Sequence, residues 1–234
     1  MLTIVIPKLN EEEYLPGLLN SIKEQNYNDL EIIVSDAGSN DRTLEIAKNY
    51  GCRIVKGGLP SVGKNNGARQ AKGDVIIFMD ADMKLNKDEL KDALKEFKAR
   101  NLDVATSQLR SLEKGFFGEI VLHLFYNFPI TALENIIPHG VGFIAIKKKL
   151  FDNLNGFDEK VILAEDIDLI RRAAKKSKFG ILRNTKPFYS LRRFEKEGWI
   201  KAFVKYFISE IYSLIFGPDR KQKIKFRFNH YKEK

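Results

Sequence analysis

The sequence predicts an α/β fold, a mostly parallel sheet flanked by helices. Short apolar runs of strand length alternate with segments of helical spacing, the connections between them are short, and polar turns follow the strands directly. Residues 2–6 form the first apolar run. Residues 16–24 place Leu18, Leu19 and Ile22 at helical spacing, with Pro16 suited to a first helical turn. Residues 31–35 read as a second strand and 43–50 as a helix stopped by Gly51. Residues 53–55 read as a short strand, and 62–71 as a helix ahead of Gly73. Residues 75–79 are a fully apolar strand. Residues 87–98 are a helix with Asn86 as its expected N-cap. Beyond these come strands at 104–107, 142–146 and 180–183, a long aromatic and partly helical stretch at 112–137, and a helix at 164–176. An amphipathic helix starts at Gly198, and a basic tail covers 221–234.

Composition excludes several classes. The chain has 234 residues, 44% hydrophobic and 30% charged, so it can bury a core of its own and is not intrinsically disordered. Its one cysteine, Cys52, excludes a disulfide scaffold and a cysteine-based zinc site. Cys52 reads as a small core residue. Forty basic against 31 acidic residues give a net charge of +9, which favours anionic partners: nucleic acid, lipid or a phosphorylated small molecule. No leader is expected at the start and no membrane span anywhere. The nearest candidate, residues 120–137, is interrupted by His123, Asn127, Pro129 and Glu134.

In open parallel sheets ligands bind beyond the carboxyl ends of the strands. That rule puts residues 7–10, 36–40 and 80–84 on one edge. Asp80-Ala81-Asp82 offers two carboxylates around one small residue, a set suited to a hard divalent cation that keeps sites for phosphates and water. Asp36-Ala37-Gly38-Ser39-Asn40-Asp41 opens a helix. Its Asp36 could accept bonds from a base or ribose, and Ser39 or Asn40 could cap the helix. Pro7-Lys8-Leu9-Asn10-Glu11-Glu12 is either an anion- or base-binding turn or a plain polar loop. Gly63-Lys64-Asn65-Asn66-Gly67 lacks P-loop spacing, which excludes that ATPase motif, yet Lys64 could reach a phosphate. Glu165-Asp166-Ile167-Asp168 places acids in a first helical turn. The helix dipole favours acids there, and the same dipole would keep one of them ionised as a general base.

Taken in order, these motifs resemble glycosyltransferase family 2. The resemblance runs from about residue 2 to 193. It rests on Pro7-x-x-Asn10-Glu11-Glu12, Asp36-Ala37-Gly38-Ser39-Asn40-Asp41-Arg42-Thr43, Lys64-Asn65-Asn66-Gly67, Ala71-Lys72-Gly73-Asp74, Asp80-Ala81-Asp82, Asn155-Gly156-Phe157-Asp158-Glu159 and Glu165-Asp166-Ile167-Asp168-Leu169-Ile170-Arg171-Arg172. It implies the GT-A fold and transfer of a sugar, with inversion, from a nucleoside-diphosphate sugar to a hydroxyl or lipid-phosphate acceptor in glycan or glycolipid synthesis. It further implies a nucleotide-sugar site of Pro7, Asn10, Glu11, Asp36, Lys64, Asp80, Ala81, Asp82 and Arg193. Asp82 and Asp80 would hold a divalent cation, Mn²⁺ or Mg²⁺, and Asp166 would be the catalytic base. Glu165 is assigned to the acceptor side; His139, in Pro138-His139-Gly140, could face the acceptor or the metal, but a loop histidine with a structural bond is the better reading of it. Ala37 stands where the family has a second acid, and Lys64 where it has arginine, which loses the bidentate fork. Leu191-Arg192-Arg193-Phe194 is all that answers the Gln-x-x-Arg-Trp of processive members, and it would put Arg193 near the donor phosphates.

The resemblance divides the chain into a catalytic domain, 1–195, and an appendage, 196–234. Within the first, nucleotide-sugar binding lies at about 1–110 and the acceptor side at about 111–195. In the appendage Trp199, Ile200, Phe203, Val204, Phe207, Ile208, Ile211, Leu214 and Ile215 recur at helical spacing. They imply either packing on the core or docking on an anionic membrane surface, and the tail either an edge strand or a lipid anchor. The expected location is cytoplasmic, peripheral on the membrane face. Two other classes remain in view: a sugar nucleotidyltransferase, which would want a glycine-rich basic loop after the first strand, and a basic nucleic-acid binder. Acids at the predicted strand ends argue against nucleic acid as a partner.

Overall fold

The structure, a computed structural model, describes residues 1–113 and 115–220. The basic tail expected at 221–234 lies outside the described residues. In chain order the elements are β1 (Leu2–Lys8), α1 (Leu15–Lys23), β2 (Leu30–Asp36), α2 (Thr43–Asn49), β3 (Arg53–Lys56), α3 (Pro60–Gln70), β4 (Val75–Met79), β5 (Met83–Lys84), α4 (Glu89–Ala99), β6 (Val104–Ser107) and β7 (Arg110–Ser111). Then come α5 (Phe116–Leu122), a π-helical turn (His123–Asn127), α6 (Phe128–Ala132), β8 (Phe143–Lys147), α7 (Lys148–Asn153), α8 (Glu165–Ala174), β9 (Phe179–Leu182), β10 (Phe188–Tyr189), α9 (Arg192–Glu197) and α10 (Trp199–Phe216).

Seven strands form the main sheet in the order β3-β2-β1-β4-β8-β6-β9. β1, β2, β3 and β4 run parallel; β8 runs antiparallel to both β4 and β6, so the expected parallel sheet is mixed at this one strand. A small sheet, β5-β10-β7, was not foreseen, because two-residue strands carry too little pattern to read. Side chains alternate across a strand, and β1 uses this to fill both faces. Ile4 and Ile6 join Leu18, Leu19, Ile77 and Leu90 in one core cluster, while Val5 joins Ile33, Ile76, Leu169 and Ile170 in the other. Phe78, Phe151 and Phe157 pack as a ring trio in the second cluster, with centroids 5.0–5.7 Å apart. This trio seats the Gly156-Phe157 turn against the sheet. A side chain at Gly67 would overlap Val5 and crowd the Ser35 hydroxyl, so glycine is what lets α3 lie close on β1 and β2.

Two expected helix caps are different in the structure. The residue flanking α4 is Asp88, in the left-handed region at φ +61°. Asn86 instead donates its backbone and side-chain N–H groups to Glu89 Oε2. Ahead of α2, neither Ser39 nor Asn40 caps: Asp41 Oδ1 accepts the Thr43 N–H at 3.0 Å. The expected boundary between 195 and 196 falls inside α9. Cys52 is buried beside β3, and burial pushes its thiol up to about 11, in keeping with a core role. Among the described residues no helix is long and apolar enough to cross a membrane.

Candidate active site

Parallel pairing brings the ends of β2, β1 and β4 side by side, with Lys8 opposite Asp36 in register. The three turns named from the sequence therefore share one edge. The first two are laced together. Asn10, at φ +52°, donates its N–H to Ser39 Oγ and accepts the Asn40 N–H, both at 2.9 Å. Glu11 N–H donates to Thr43 Oγ1 at 2.9 Å. Asp36 accepts from the backbone of Gly38 and Ser39 and from the Ser39 hydroxyl at 2.6 Å, and it pairs with buried Lys8 at 3.0 Å. Burial works to raise the Asp36 pKa, but Ser39 and Lys8 outweigh it and hold the carboxyl low. Its oxygens are thus engaged by its own turn, so Asp36 first shapes the loop and only then offers itself to a ligand. Pro7 lies at the end of β1 between these turns.

At the end of β4, Ala81 is buried in the core, while Asp80 and Asp82 on either side stay partly exposed. The Asp80 N–H donates to the Gly142 carbonyl at 3.2 Å, and the Gly142 N–H donates to Asp166 Oδ2 at 3.2 Å. Gly142 thereby ties the Asp80 backbone to the proposed base. It has φ +74°, and a side chain there would crowd the Tyr189 ring, so this bridge needs glycine. The sequence reading passed over it as the start of a strand.

The charges interlock. Lys64, on α3, is 3% exposed in its side chain and pairs with Glu165 at 2.9 Å and with Asp166 at 2.5 Å, both on the first turn of α8. Burial works to lower the Lys64 pKa, but Asp166, Glu165 and Asp80 outweigh it, so Lys64 stays charged. Burial raises Asp80 to about 7, against the pull of Lys64 and with the help of the Asp166 and Asp82 charges. Asp82 and Glu165 are likewise raised, by burial first.

Arg192 bridges Asp82 at 3.0 Å and Glu11 at 2.6 Å, with its guanidinium 4.1 Å over the Tyr14 ring. The sequence pointed to its neighbour Arg193, which lies at the same edge. Arg193 donates to the Tyr206 hydroxyl at 3.0 Å and acts on Asp80 and Asp82 through its charge, and Arg192 makes the ion pair with Asp82. The Arg-Arg string held the signal, but only the turn of α9 decides which arginine faces Asp82. His139 lies 3.3 Å from Glu210 on α10 and stacks edge-on against Tyr126, contacts of a structural kind.

Glu11, Asp80, Asp82, Glu165 and Asp166 outnumber Lys64, Arg192 and Arg193, and Glu11 Oε2 is buried without a hydrogen-bond partner. Such an excess of hard oxygen donors fits a divalent cation. Among the described residues no three carboxylates, imidazoles or thiols converge on one point. Asp82 and Asp80 would hold the ion, with donor phosphates and water completing its shell, as Mg²⁺ and Mn²⁺ sites commonly do. A cleft of about 290 Å³ opens beside Arg192, lined by Asn10, Glu11, Tyr14, Asp41 and Lys196 among others.

Comparison with known proteins identifies the fold and the family. The poly(ribitol-phosphate) β-N-acetylglucosaminyltransferase TarS of Staphylococcus aureus is 26% identical over 220 residues, 86% of this chain and 37% of that one. A 4,4'-diaponeurosporenoate glycosyltransferase of Staphylococcus haemolyticus is 38% identical over 108 residues, 42% of this chain and 28% of that one. The chain thus spans well under half the length of these two relatives. The fold is shared with S. aureus TarS 1–349 in complex with UDP-GlcNAc: TM-score 0.64 at 20% identity, covering 81% of this chain and 58% of that one. It is also shared with a mannosyltransferase from Pyrobaculum calidifontis in complex with GDP-Man and Mn²⁺: TM-score 0.68 at 20% identity, covering 88% of this chain and 64% of that one. The family profile described as glycosyl transferase family 2 matches residues 3–156, more than half of the sequence, and the chain belongs to that family, on the GT-A fold.

Proposed function

We propose that the chain transfers a sugar, with inversion, from a nucleoside-diphosphate sugar to a hydroxyl or lipid-phosphate acceptor. The observation that carries this reading is the linkage of Asp80, through the Gly142 backbone and the charge of Lys64, to Asp166 on a different element, with Asp82 beside it on the same turn. The laced turns after β1 and β2 would receive the nucleoside. Arg192 and Arg193 would face the diphosphate and offset the charge it gains on leaving. Asp166 would take the proton of an acceptor hydroxyl. The acceptor oxygen then bonds to the anomeric carbon as the bond from that carbon to the diphosphate breaks, and the nucleoside diphosphate departs with the electron pair. A cation held by Asp82 with Asp80 would add Lewis-acid charge at that leaving group. The relatives holding UDP-GlcNAc, or GDP-Man with Mn²⁺, support the donor class and the metal.

A phosphate acceptor arrives already ionised and does not need the base. Asp166→Asn is therefore expected to lose turnover with a hydroxyl acceptor and to keep it with a phosphate one. A nucleotidyltransferase would want a basic, glycine-rich loop after β1, where this chain has Asn10-Glu11-Glu12. The deciding experiment is calorimetry with UDP-, GDP- and dTDP-sugars, with and without Mn²⁺ or Mg²⁺, on the wild type and Asp82→Ala. Metal-dependent binding of one nucleotide class, lost in Asp82→Ala, is the expected result. Failure of every donor to bind, with either metal, would overturn the proposal.

A further inference from the structure

Helix α10 is turned opposite to an ordinary surface helix. Beyond Trp199, which packs against the core, its described inward positions are small or polar. Ala202 and Ser209 are buried, Glu210 pairs with Arg171 and His139, and the Ser213 hydroxyl accepts from Arg171 at 2.9 Å. Its outward positions are apolar: Phe207, Ile208 and Ile215 are each more than half exposed. Surface helices normally bury such a stripe. A second segment does the same. Phe116, Leu124 and Phe128, along α5, the π turn and the start of α6, are 79%, 54% and 62% exposed. The two segments meet where the Phe117 ring stands edge-on to Trp199, 5.0 Å between centroids. One apolar surface therefore runs across both, larger than the scattered apolar residues of a monomer's surface require.

The sequence that follows α10 is basic. The chain that continues from α10, residues 221–234, carries six lysines and arginines against one glutamate, interleaved with Ile224, Phe226, Phe228 and Tyr231. Apolar residues on one face, followed in sequence by a basic segment, match the chemistry of an anionic lipid surface, which takes apolar side chains into its acyl boundary and attracts cations to its headgroups. A second copy of this chain would answer the apolar faces but would repel the basic segment. We propose that α10 and the segment from Phe116 to Phe128 form a docking surface for an anionic membrane, with the helices lying in the interface plane. This docking is independent of the transfer reaction and is read without it.

The test is flotation of the full chain with phosphatidylglycerol-containing vesicles and with pure phosphatidylcholine vesicles, at low and high salt, with oligomeric state measured by light scattering. The wild type is expected to float with the anionic vesicles and to lose most of that binding at high salt. Ile208→Glu with Ile215→Glu should weaken binding at least tenfold while donor binding by calorimetry stays unchanged, because both side chains are exposed and outside the active site. Lys223→Gln with Lys225→Gln and Arg227→Gln should reduce the preference for anionic over zwitterionic vesicles. Absence of flotation at low salt would overturn the proposal. So would flotation indifferent to the Ile208 and Ile215 substitutions, or a dimer that those substitutions dissociate in a protein that never floats.

Discussion

Lys64→Met is the substitution that most directly tests the charge arrangement. It keeps the unbranched chain, one atom shorter, and removes the cation that Glu165, Asp166 and Asp80 share. At 2.9 Å and an effective dielectric of about 20, one such pair is worth about 6 kcal/mol of Coulomb energy before desolvation is subtracted. Removing one partner of a buried pair costs about 3–5 kcal/mol net, because the other charge is left uncompensated. The side chains here are 3%, 12% and 10% exposed, so solvent screens them little. A loss of about 4 kcal/mol lowers the melting temperature by about 10 °C in a protein of this size.

The loss should depend on pH with a definite sign. The folded-state pKa of Lys64 is raised, so its contribution is complete below the unfolded lysine value of about 10.4 and does not vary between pH 5 and 8. In the variant, Glu165, already raised by burial, loses its main counter-charge and rises further. The folded variant then binds protons more readily than its unfolded chain, so its stability increases as pH falls. Urea unfolding at pH 8 and pH 5 reads this directly: the deficit should be largest at pH 8 and shrink at pH 5. Lys64→Arg, which keeps the charge, should recover part of it. A deficit below about 1 kcal/mol, or one equal at both pH values, would refute Lys64 as the counter-charge.

Three further outcomes are expected. Arg192→Ala should weaken nucleotide-sugar binding by about tenfold, the scale of one charge-assisted contact, and also lower the melting temperature, because Glu11 and Asp82 lose their shared counter-charge; calorimetry and thermal unfolding read the two effects separately. Gly67→Ala should destabilise by about 1–3 kcal/mol in urea titration, because Val5 is fully buried on the interior strand β1 and cannot yield, which outweighs the helix propensity gained. Asp103 is held low, first by its bond from Lys147 at 2.7 Å, so its contribution is present above the unfolded carboxylate value of about 3.9 and is lost as pH falls through its lower folded value; Asp103→Asn should flatten the acid limb of the stability profile below about pH 4.

Local pattern was enough for what is local. The apolar runs at β1, β2, β4 and β6 and the helical spacing of α1, α2, α3 and α8 made the alternating α/β order legible. Parallel pairing then forced the turns at 7–10, 36–40 and 80–84 onto one edge, because parallel strands end on the same side. The tertiary structure alone decided how distant groups meet. Lys64 and Asp166 are 102 residues apart, Arg192 and Asp82 are 110 apart, and nothing in their neighbours' spacing encodes either contact. Gly142 looked like the edge of a strand until its left-handed backbone was seen to join Asp80 to Asp166. Helix α10 shows the same limit: its apolar spacing allowed a face turned to the core or away from it. Arg171 and His139 chose, by drawing Glu210 and Ser213 inward, and the apolar face was left outward because ion pairs on the inner side can form in only one rotation of the helix.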